Sequence, residues 1–320
     1  MKSFKRFSVL ILLIPVIMGW GFFSHQKVNR IAVFTLPVEM MGFYKRHIQY
    51  ITEKAINPDK RRYIIKEEAA RHYIDLDVYG DSALYTLPRY WNDAVELLTE
   101  DTLQAYGIVP WHINRVKYQL TQAFLERDAD RILRYSADIG HYIADAHVPL
   151  HTTQNYNGQM TGQYGIHGFW ESRLPELFFD HFDLFTGKAE YIRNTQLAAW
   201  SAVESAHLAL DSVLLFEKEL TDRYSDDKKY SFESRGNMTI RVYSADFSGD
   251  YFRMMDDMVE RQMRRSIKMT GDFWYTAWVD GGQPDLSKII DLKMDEEEES
   301  IKENTRILLR NHESGESVGN

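Results

Sequence analysis

Apolar residues recur at helical spacing along most of this 320-residue chain, and no segment alternates convincingly between apolar and polar side chains. Residues three and four positions apart share one face of an α-helix, so this spacing predicts helices that each bury one face. Residues typical of helix ends, chiefly Gly, Pro and Asp, Ser or Thr caps, bound these segments. We therefore expect an all-α fold, with one mostly helical domain from Trp20 to about Leu286.

Short polar connections separate the expected helices. The helices are predicted at 38–56, 87–98, 111–125, 128–146, 194–224 and 247–269, and Pro58 begins another. The segment 155–165 is polar, contains glycine and lacks periodicity, so we expect a loop there. With 44% hydrophobic residues, the chain has enough apolar surface for a substantial core.

The last part of the chain, 287–320, differs from the rest in its charge. The run DEEEES begins a charged appendage that we expect to be helical to about Leu309, with a disordered tail after it. We interpret the acidic run as a solvated helix face. The whole chain carries a net charge of −9, so no binding of duplex DNA is expected. A small substrate, or a site made positive locally by metal ions, is compatible with this charge.

The first 19 residues have the pattern of a signal peptide. Three basic residues among the first six precede an apolar stretch, 7–18, that is too short to span a bilayer. We expect cleavage between Gly19 and Trp20 and an exported protein, periplasmic or secreted; an uncleaved anchor is the alternative. The chain has no cysteine, so its core or metal ions must stabilise the exported protein.

The segment 138–174 contains the densest group of residues that can bind a metal. His141 and Asp145 are four residues apart, and so are His167 and Glu171, so each pair shares one face of its helix. His151 lies between the two pairs. Histidine nitrogen and carboxylate oxygen are ligands of Zn²⁺, and pairs at this spacing present two of them at one point. One such pair is common by chance, but two pairs with an intervening histidine predict metal binding.

Asp59 and His72 are further candidate ligands upstream of this segment. They are thirteen residues apart, so one continuous helix would place them on roughly the same side, and a bend could also bring them together. Asp75 and Asp77 are rival ligands beside His72.

Two other histidines have weaker contexts. His147 is six residues after His141, which places it off the ligand-bearing face, so we expect a structural role. Glu204 and His207 form one Glu-x-x-His motif, but a di-iron site in a helix bundle needs two such motifs and two more glutamates.

In chain order, the candidate residues resemble the motif of the zinc-dependent phospholipase C / S1–P1 nuclease superfamily. The resemblance rests on Trp20 with His25, Asp59, His72, His141-x-x-x-Asp145, His151 and His167-x-x-x-Glu171, over about 150 residues. The segments YGIVPWHI, 106–113, and AWVDGGQPDL, 277–286, are also similar to family segments. The resemblance implies a mostly helical domain around a cleft that holds three zinc ions.

The resemblance also implies how the ligands divide among the ions. Asp59, His72, His141 and Asp145 would hold the first zinc, and His151, His167 and Glu171 the second. Trp20, through its α-amine and carbonyl oxygen, would hold the third with His25 and Asp145. An α-amine has a pKa near 7.7–8.0, low enough for Zn²⁺ to displace its proton, so cleavage before Trp20 would create this ligand.

By the same resemblance, the reaction is hydrolysis of a phosphodiester, with Asp59 orienting or deprotonating the attacking water. Three features favour a phospholipase C-like enzyme that acts on phospholipid head groups, with transient contact to a membrane surface. The second metal pair ends in Glu171, where the nucleases usually have Asp. The loop between His151 and His167 is short and lacks a Gly-Gly-Asn-Asp segment, and the cysteines of many nucleases are absent.

Two other functions are compatible with the same residues. The short interval between Trp20 and His25 resembles the nuclease branch, which acts on single-stranded nucleic acid and needs aromatic residues for base stacking. Candidates for that stacking are Tyr156, Tyr164 and Trp170, which could equally belong to loop packing and core. The third alternative is a zinc-stabilised binding protein without catalytic activity.

Overall fold

The all-α prediction is confirmed by a computed structural model, which describes residues 22–235 and 238–289. The predicted signal peptide, Trp20 and nearly all of the acidic appendage lie outside the described residues. The α-helices are α1 (Phe22–Ala32), α2 (Val38–Arg46), α3 (Ile48–Lys54), α4 (Asn57–Arg61), α5 (Ala83–Thr86), α6 (Trp91–Leu98), α7 (Glu100–Tyr106), α8 (Val109–Glu126), α9 (Ala129–Ala146), α10 (Ile166–Gly168), α11 (Leu174–Phe178), α12 (Thr195–Thr221), α13 (Asp226–Lys229), α14 (Ala245–Met254) and α15 (Met258–Asp280). Short 3₁₀ helices lie at Val33–Thr35, Lys66–Arg71, Leu76–Tyr79, Pro149–Thr152, Phe179–His181 and Leu286–Lys288, and a π-helical turn lies at Phe169–Arg173.

The helix α9 lies at the centre of the fold. It forms a helical hairpin with α8 and also packs against α1, α3 and α15. Arg127 ends α8 in the left-handed conformation, with φ of 56°, and the Asp128 side chain accepts a backbone hydrogen bond that begins α9. Every residue from Ser136 to Ala146 is buried. The predicted pair His141 and Asp145 is therefore in the interior of the molecule.

Two of the predicted helices are divided in the structure. The segment 38–56 forms two helices because His47 leaves the helical conformation, with φ −105° and ψ 18°. The segment 247–269 is divided in the same way at Asp256, whose φ is 53°. The loop predicted at 155–165 has no regular secondary structure. These breaks turn the chain without glycine or proline, which is why the sequence did not indicate them.

A β-hairpin is present although no strand was predicted. Its antiparallel strands β1 (Tyr230–Arg235) and β2 (Met238–Tyr243) pair with Tyr230 opposite Tyr243. Phe232 is 74% exposed, whereas Tyr243 is buried. Apolar and polar residues alternate in YSFE of β1 and in MTIRV of β2, so the expectation that no segment alternates was wrong for this hairpin.

The buried apolar side chains form two hydrophobic cores. The first core surrounds α8, α9 and α15 and includes Ile143 and Trp274. The second core lies between α12, α14 and the helical segment 166–178, and it includes Leu150 and Phe169. Within the described ranges, no helix has the length and apolar character needed to cross a membrane.

Candidate metal centre

The helix α9 presents His141 and Asp145 to one point, as their spacing predicts. Nε2 of His141 lies 3.2 Å from Oδ2 of Asp145, and both side chains are buried. Nδ1 of His141 donates to the Ala55 carbonyl at 2.8 Å. This hydrogen bond fixes the ring so that Nε2 faces the carboxylate and is free to bind a metal.

A bend, and not one continuous helix, brings Asp59 and His72 to the same point. Asp59 lies in the short helix α4, and His72 follows the 3₁₀ helix Lys66–Arg71. Oδ1 of Asp59 is 3.8 Å from Nε2 of His141 and 3.9 Å from Nδ1 of His72. Nδ1 of His72 is also 2.8 Å from Oδ2 of Asp145. These four side chains, predicted as one ligand set, therefore face one another.

A second set of side chains lies over the second core. His167 lies in α10 and Glu171 in the π-helical turn that follows it, and Nε2 of His167 lies 2.9 Å from Oε2 of Glu171. Nε2 of His151 is 3.5 Å from the same oxygen. Nδ1 of His151 donates to the His72 carbonyl at 2.6 Å, which links this set to the first.

His25 on α1 lies between the two sets. Its Nε2 is 3.4 Å from Oδ1 of Asp145 and 3.1 Å from Oε1 of Glu171. The neighbouring Ser24 hydroxyl donates to the Glu171 carbonyl at 2.7 Å, which fixes the start of α1 against the segment that carries Glu171. Trp20, the other predicted ligand near His25, lies outside the described residues.

Among the described residues, three groups could hold a metal ion. They are Asp59, His72 and His141; His25, His141 and Asp145; and His151, His167 and Glu171. Nε2 of His141 belongs to the first two groups and can bind only one ion. Asp145 faces His25 with one carboxylate oxygen and His72 with the other, so it can bridge two ions. Two of the groups consist of residues that were predicted together, and the third joins His25 and Asp145 with His141, whereas Trp20 was the predicted partner. Histidine nitrogen with carboxylate oxygen is a donor set that fits Zn²⁺.

Two histidines of the metal-free centre, His25 and His151, form buried ion pairs with its carboxylates. Burial favours the neutral form of His25, but the carboxylates of Glu171 and Asp145 outweigh it and raise the His25 pKa to about 9. His151 behaves in the same way, and its pKa also rises to about 9. The pKa values of Asp145 and Glu171 lie well below their usual range, because the surrounding histidines outweigh the effect of burial. A bound cation would replace the protons of these histidines.

The weaker sequence candidates lie outside these groups. Asp77 accepts hydrogen bonds from the Thr153 hydroxyl and the Gln154 amide. Burial and the charge of Asp77 raise the pKa of Asp75 to about 7. His147 is buried and donates from Nδ1 to the carbonyl four residues earlier, as a structural residue would.

Two features near the centre were not found by sequence reasoning. Arg62 is 45% exposed, and its Nη1 lies 3.9 Å from Oδ1 of Asp59. Glu68 is fully buried beside His72 and accepts hydrogen bonds from Tyr142 and Arg61. Burial favours neutral Glu68, but these neighbours and a second guanidinium outweigh it, so the Glu68 pKa lies below its usual range. In the sequence, both residues belong to charged runs that are typical of solvated helix faces.

No protein-family model matches this chain, and no match was found among curated proteins. The fold and the site define an all-α protein with three buried groups of candidate metal ligands.

Proposed function

We propose that the protein is a metal-dependent phosphodiester hydrolase. The observation that carries the proposal is that the ligand groups meet at His25. Its Nε2 lies 3.4 Å from Oδ1 of Asp145 and 3.1 Å from Oε1 of Glu171. Ions bound close together would stabilise negative charge on the attacking and leaving oxygens of a displacement at phosphorus and would lower the pKa of a water. The ligand set supports Zn²⁺ as the metal, and three ions are proposed from the family resemblance.

We assign Asp59 to orient or deprotonate the attacking water. Its side chain is 21% exposed, whereas that of Asp145 is 1% exposed, so Asp59 is the carboxylate of the first set that water can reach. A general base must lie within hydrogen-bond reach of the proton it removes, and contact with water is the first condition for that.

Arg62 is suited to bind an oxygen of the phosphodiester. Its guanidinium is exposed beside Asp59, and a guanidinium can donate two parallel hydrogen bonds to a phosphate. This local positive charge would help an acidic protein to accept an anionic substrate.

The sequence favours phospholipid head groups as substrates, and one structural observation favours single-stranded nucleic acid. Tyr156 is 54% exposed, and its ring centre lies 5.9 Å from that of His167, so it is placed to stack with a base beside the second ligand set. Tyr164 is also exposed, but Trp170 is buried in the second core and is unsuited to stacking. We therefore retain the nuclease as the second candidate function.

The test compares hydrolysis of a chromogenic phosphocholine diester with that of single-stranded DNA by the Zn²⁺-loaded protein. We expect activity on the diester, and Asp59→Asn should reduce kcat by about 10²- to 10⁴-fold. Arg62→Gln should lower kcat/KM by about tenfold or more, with unchanged metal content. Asp93→Asn, on the exposed face of α6, is the control and should be fully active.

Each outcome distinguishes one of the candidate functions. Turnover of DNA alone would contradict the phospholipase assignment and favour the nuclease. A protein that binds Zn²⁺ and melts at a much higher temperature, yet hydrolyses neither substrate, would be a zinc-stabilised binding protein.

A further inference from the structure

Two ligand histidines of the centre share one orientation. Nδ1 of His141 donates to the Ala55 carbonyl, and Nδ1 of His151 donates to the His72 carbonyl. A neutral ring that donates from Nδ1 has its free electron pair on Nε2. In both residues, Nε2 therefore faces the centre.

The ring of His72 has the opposite orientation. Its Nδ1 faces the centre, 2.8 Å from Oδ2 of Asp145 and 3.0 Å from Nε2 of His141. Its Nε2 is buried and has no hydrogen-bond partner. If a metal ion binds Nδ1, the proton of the ring must be on Nε2, and a buried N–H requires an acceptor.

A carboxylate faces that nitrogen. Oε1 of Glu68 lies 3.8 Å from Nε2 of His72, and the Glu68 side chain is fully buried. Tyr142 and Arg61 donate to the same oxygen, and Arg71 donates to the other. Because these contacts hold the carboxylate in place, a ring movement of about 1 Å would complete a hydrogen bond from His72.

We propose that Glu68 is a positioning residue of the metal centre, which accepts a hydrogen bond from Nε2 of His72 when Nδ1 binds a metal ion. A carboxylate in this position fixes the proton on one nitrogen and makes the other a stronger ligand. The inference rests on metal binding by Asp59, His72 and His141, and it does not require the proposed phosphodiester hydrolysis. It can therefore be tested without a substrate.

Glu217 provides a matched control for Glu68→Gln. Like Glu68, it is fully buried and accepts from a tyrosine hydroxyl, that of Tyr243, and from a cation, Lys229. Its other hydrogen bonds are with Gln163 and Thr221, so its partners include no candidate metal ligand. Both variants should lower the melting temperature of the metal-free protein. Glu217→Gln removes the carboxylate that pairs with the buried Lys229, and Glu68→Gln removes one of the two carboxylates, Glu68 and Asp138, that pair with the buried Arg61.

The two variants should differ in metal affinity, measured by competition between the full chain and a chromogenic Zn²⁺ chelator. We expect Glu68→Gln to bind one Zn²⁺ per chain about 10- to 100-fold more weakly than the wild type, and Glu217→Gln to bind as the wild type does. Unchanged affinity in Glu68→Gln, or equal weakening in both variants, would overturn the proposal.

The wild-type protein provides a test that does not depend on folding of the variant. In long-range ¹H–¹⁵N spectra of the Zn²⁺-loaded protein, the ring proton of His72 should be on Nε2, at the low-field shift of a charge-assisted hydrogen bond. That resonance should move upfield in Glu68→Gln and stay in place in Glu217→Gln. A wild-type His72 with its proton on Nδ1 would show that the assignment of Glu68 is wrong.

Discussion

Nε2 of His25 lies 3.1 Å from Oε1 of Glu171, although 146 positions separate these residues in the sequence. The same nitrogen is 3.4 Å from Oδ1 of Asp145, and all three side chains are buried. The first helix thus inserts one ring between the carboxylates of α9 and of the segment 166–178. His25 is thus one of the side chains, with His151, that connect the ligands over the two hydrophobic cores.

Replacement of His25 should affect both metal binding and the stability of the metal-free protein. Without the cationic ring, Asp145 and Glu171 keep buried negative charges that are less well compensated, so we expect His25→Ala to lose about 3 kcal/mol of unfolding free energy in chelator. The variant should also bind one metal ion fewer per chain. Urea unfolding and elemental analysis measure the two effects. His181→Ala, at an exposed position, is the control; equal metal content and stability in both variants would contradict the role of His25.

The approach of α1 to α9 depends on a glycine next to His141. A Cβ atom at Gly140 would lie 1.9 Å from Oδ1 of Asn29, and the Asn29 amide is held by the Ala137 carbonyl at 3.0 Å. We expect Gly140→Ala to destabilise the protein by about 2 kcal/mol, because α1 and α9 must separate. Gly42→Ala in α2 meets nothing within 4 Å and should be neutral or stabilising by up to about 1 kcal/mol. Chemical denaturation measures the unfolding free energy of both variants. Equal stability of the two would show that the Asn29 side chain moves aside and that no clash occurs.

Part of this site follows from local sequence spacing. The contacts His141–Asp145 and His167–Glu171 are each formed within one helical segment, so the interval of four residues was sufficient to predict them. The position of His25 between the two pairs was suggested only by family resemblance. The position of His25 depends on how α1 packs against helices distant in the sequence, and hydrophobic periodicity does not predict which helices pack together.

Other parts of the site could not be predicted because they depend on burial of charge. In the sequence, Glu68 belongs to the run KEEAAR, which has the composition of an exposed helix. In the structure it is fully buried, because Arg61 and Tyr142 satisfy its carboxylate. The hairpin β1–β2 is a different case, because the alternation of apolar and polar residues in its two short strands is present in the sequence.

His112 should make the metal-free protein less stable in acid. Burial and the charge of Arg71 hold the His112 pKa well below the usual histidine value of about 6.5, so the folded protein binds a proton at His112 less readily than the unfolded chain does. Below about pH 6.5 the unfolded chain gains a proton at this histidine and the folded protein does not. The unfolding free energy is therefore unaffected by His112 well above pH 6.5 and falls below that pH, by at most about 1.4 kcal/mol at pH 5.5. His112→Leu should reduce this pH dependence.

Urea unfolding at pH 7.5 and 5.5 in chelator measures the effect of His112. The control His181→Gln changes an exposed ring and should keep the wild-type difference between the two pH values. If the difference is the same in all three proteins, other groups are responsible for the acid sensitivity.

Removal of metal ions should loosen the contact between the two hydrophobic cores. His141 and Asp145 lie over the first core, and Glu171 lies over the second, so bound ions would join side chains that belong to different cores. An ion present at a thousand times its Kd stabilises the folded protein by about 4 kcal/mol. Its removal by a chelator should therefore lower Tm by roughly 10 °C.

On removal of the ions, hydrogen exchange should increase in α1 and in the segment 166–178, while the centre of α9 stays protected. Zn²⁺ should restore protection and Mg²⁺ should not, because nitrogen ligands suit Zn²⁺ and not Mg²⁺. A uniform increase in exchange over the whole chain would show instead that the two cores open as one unit.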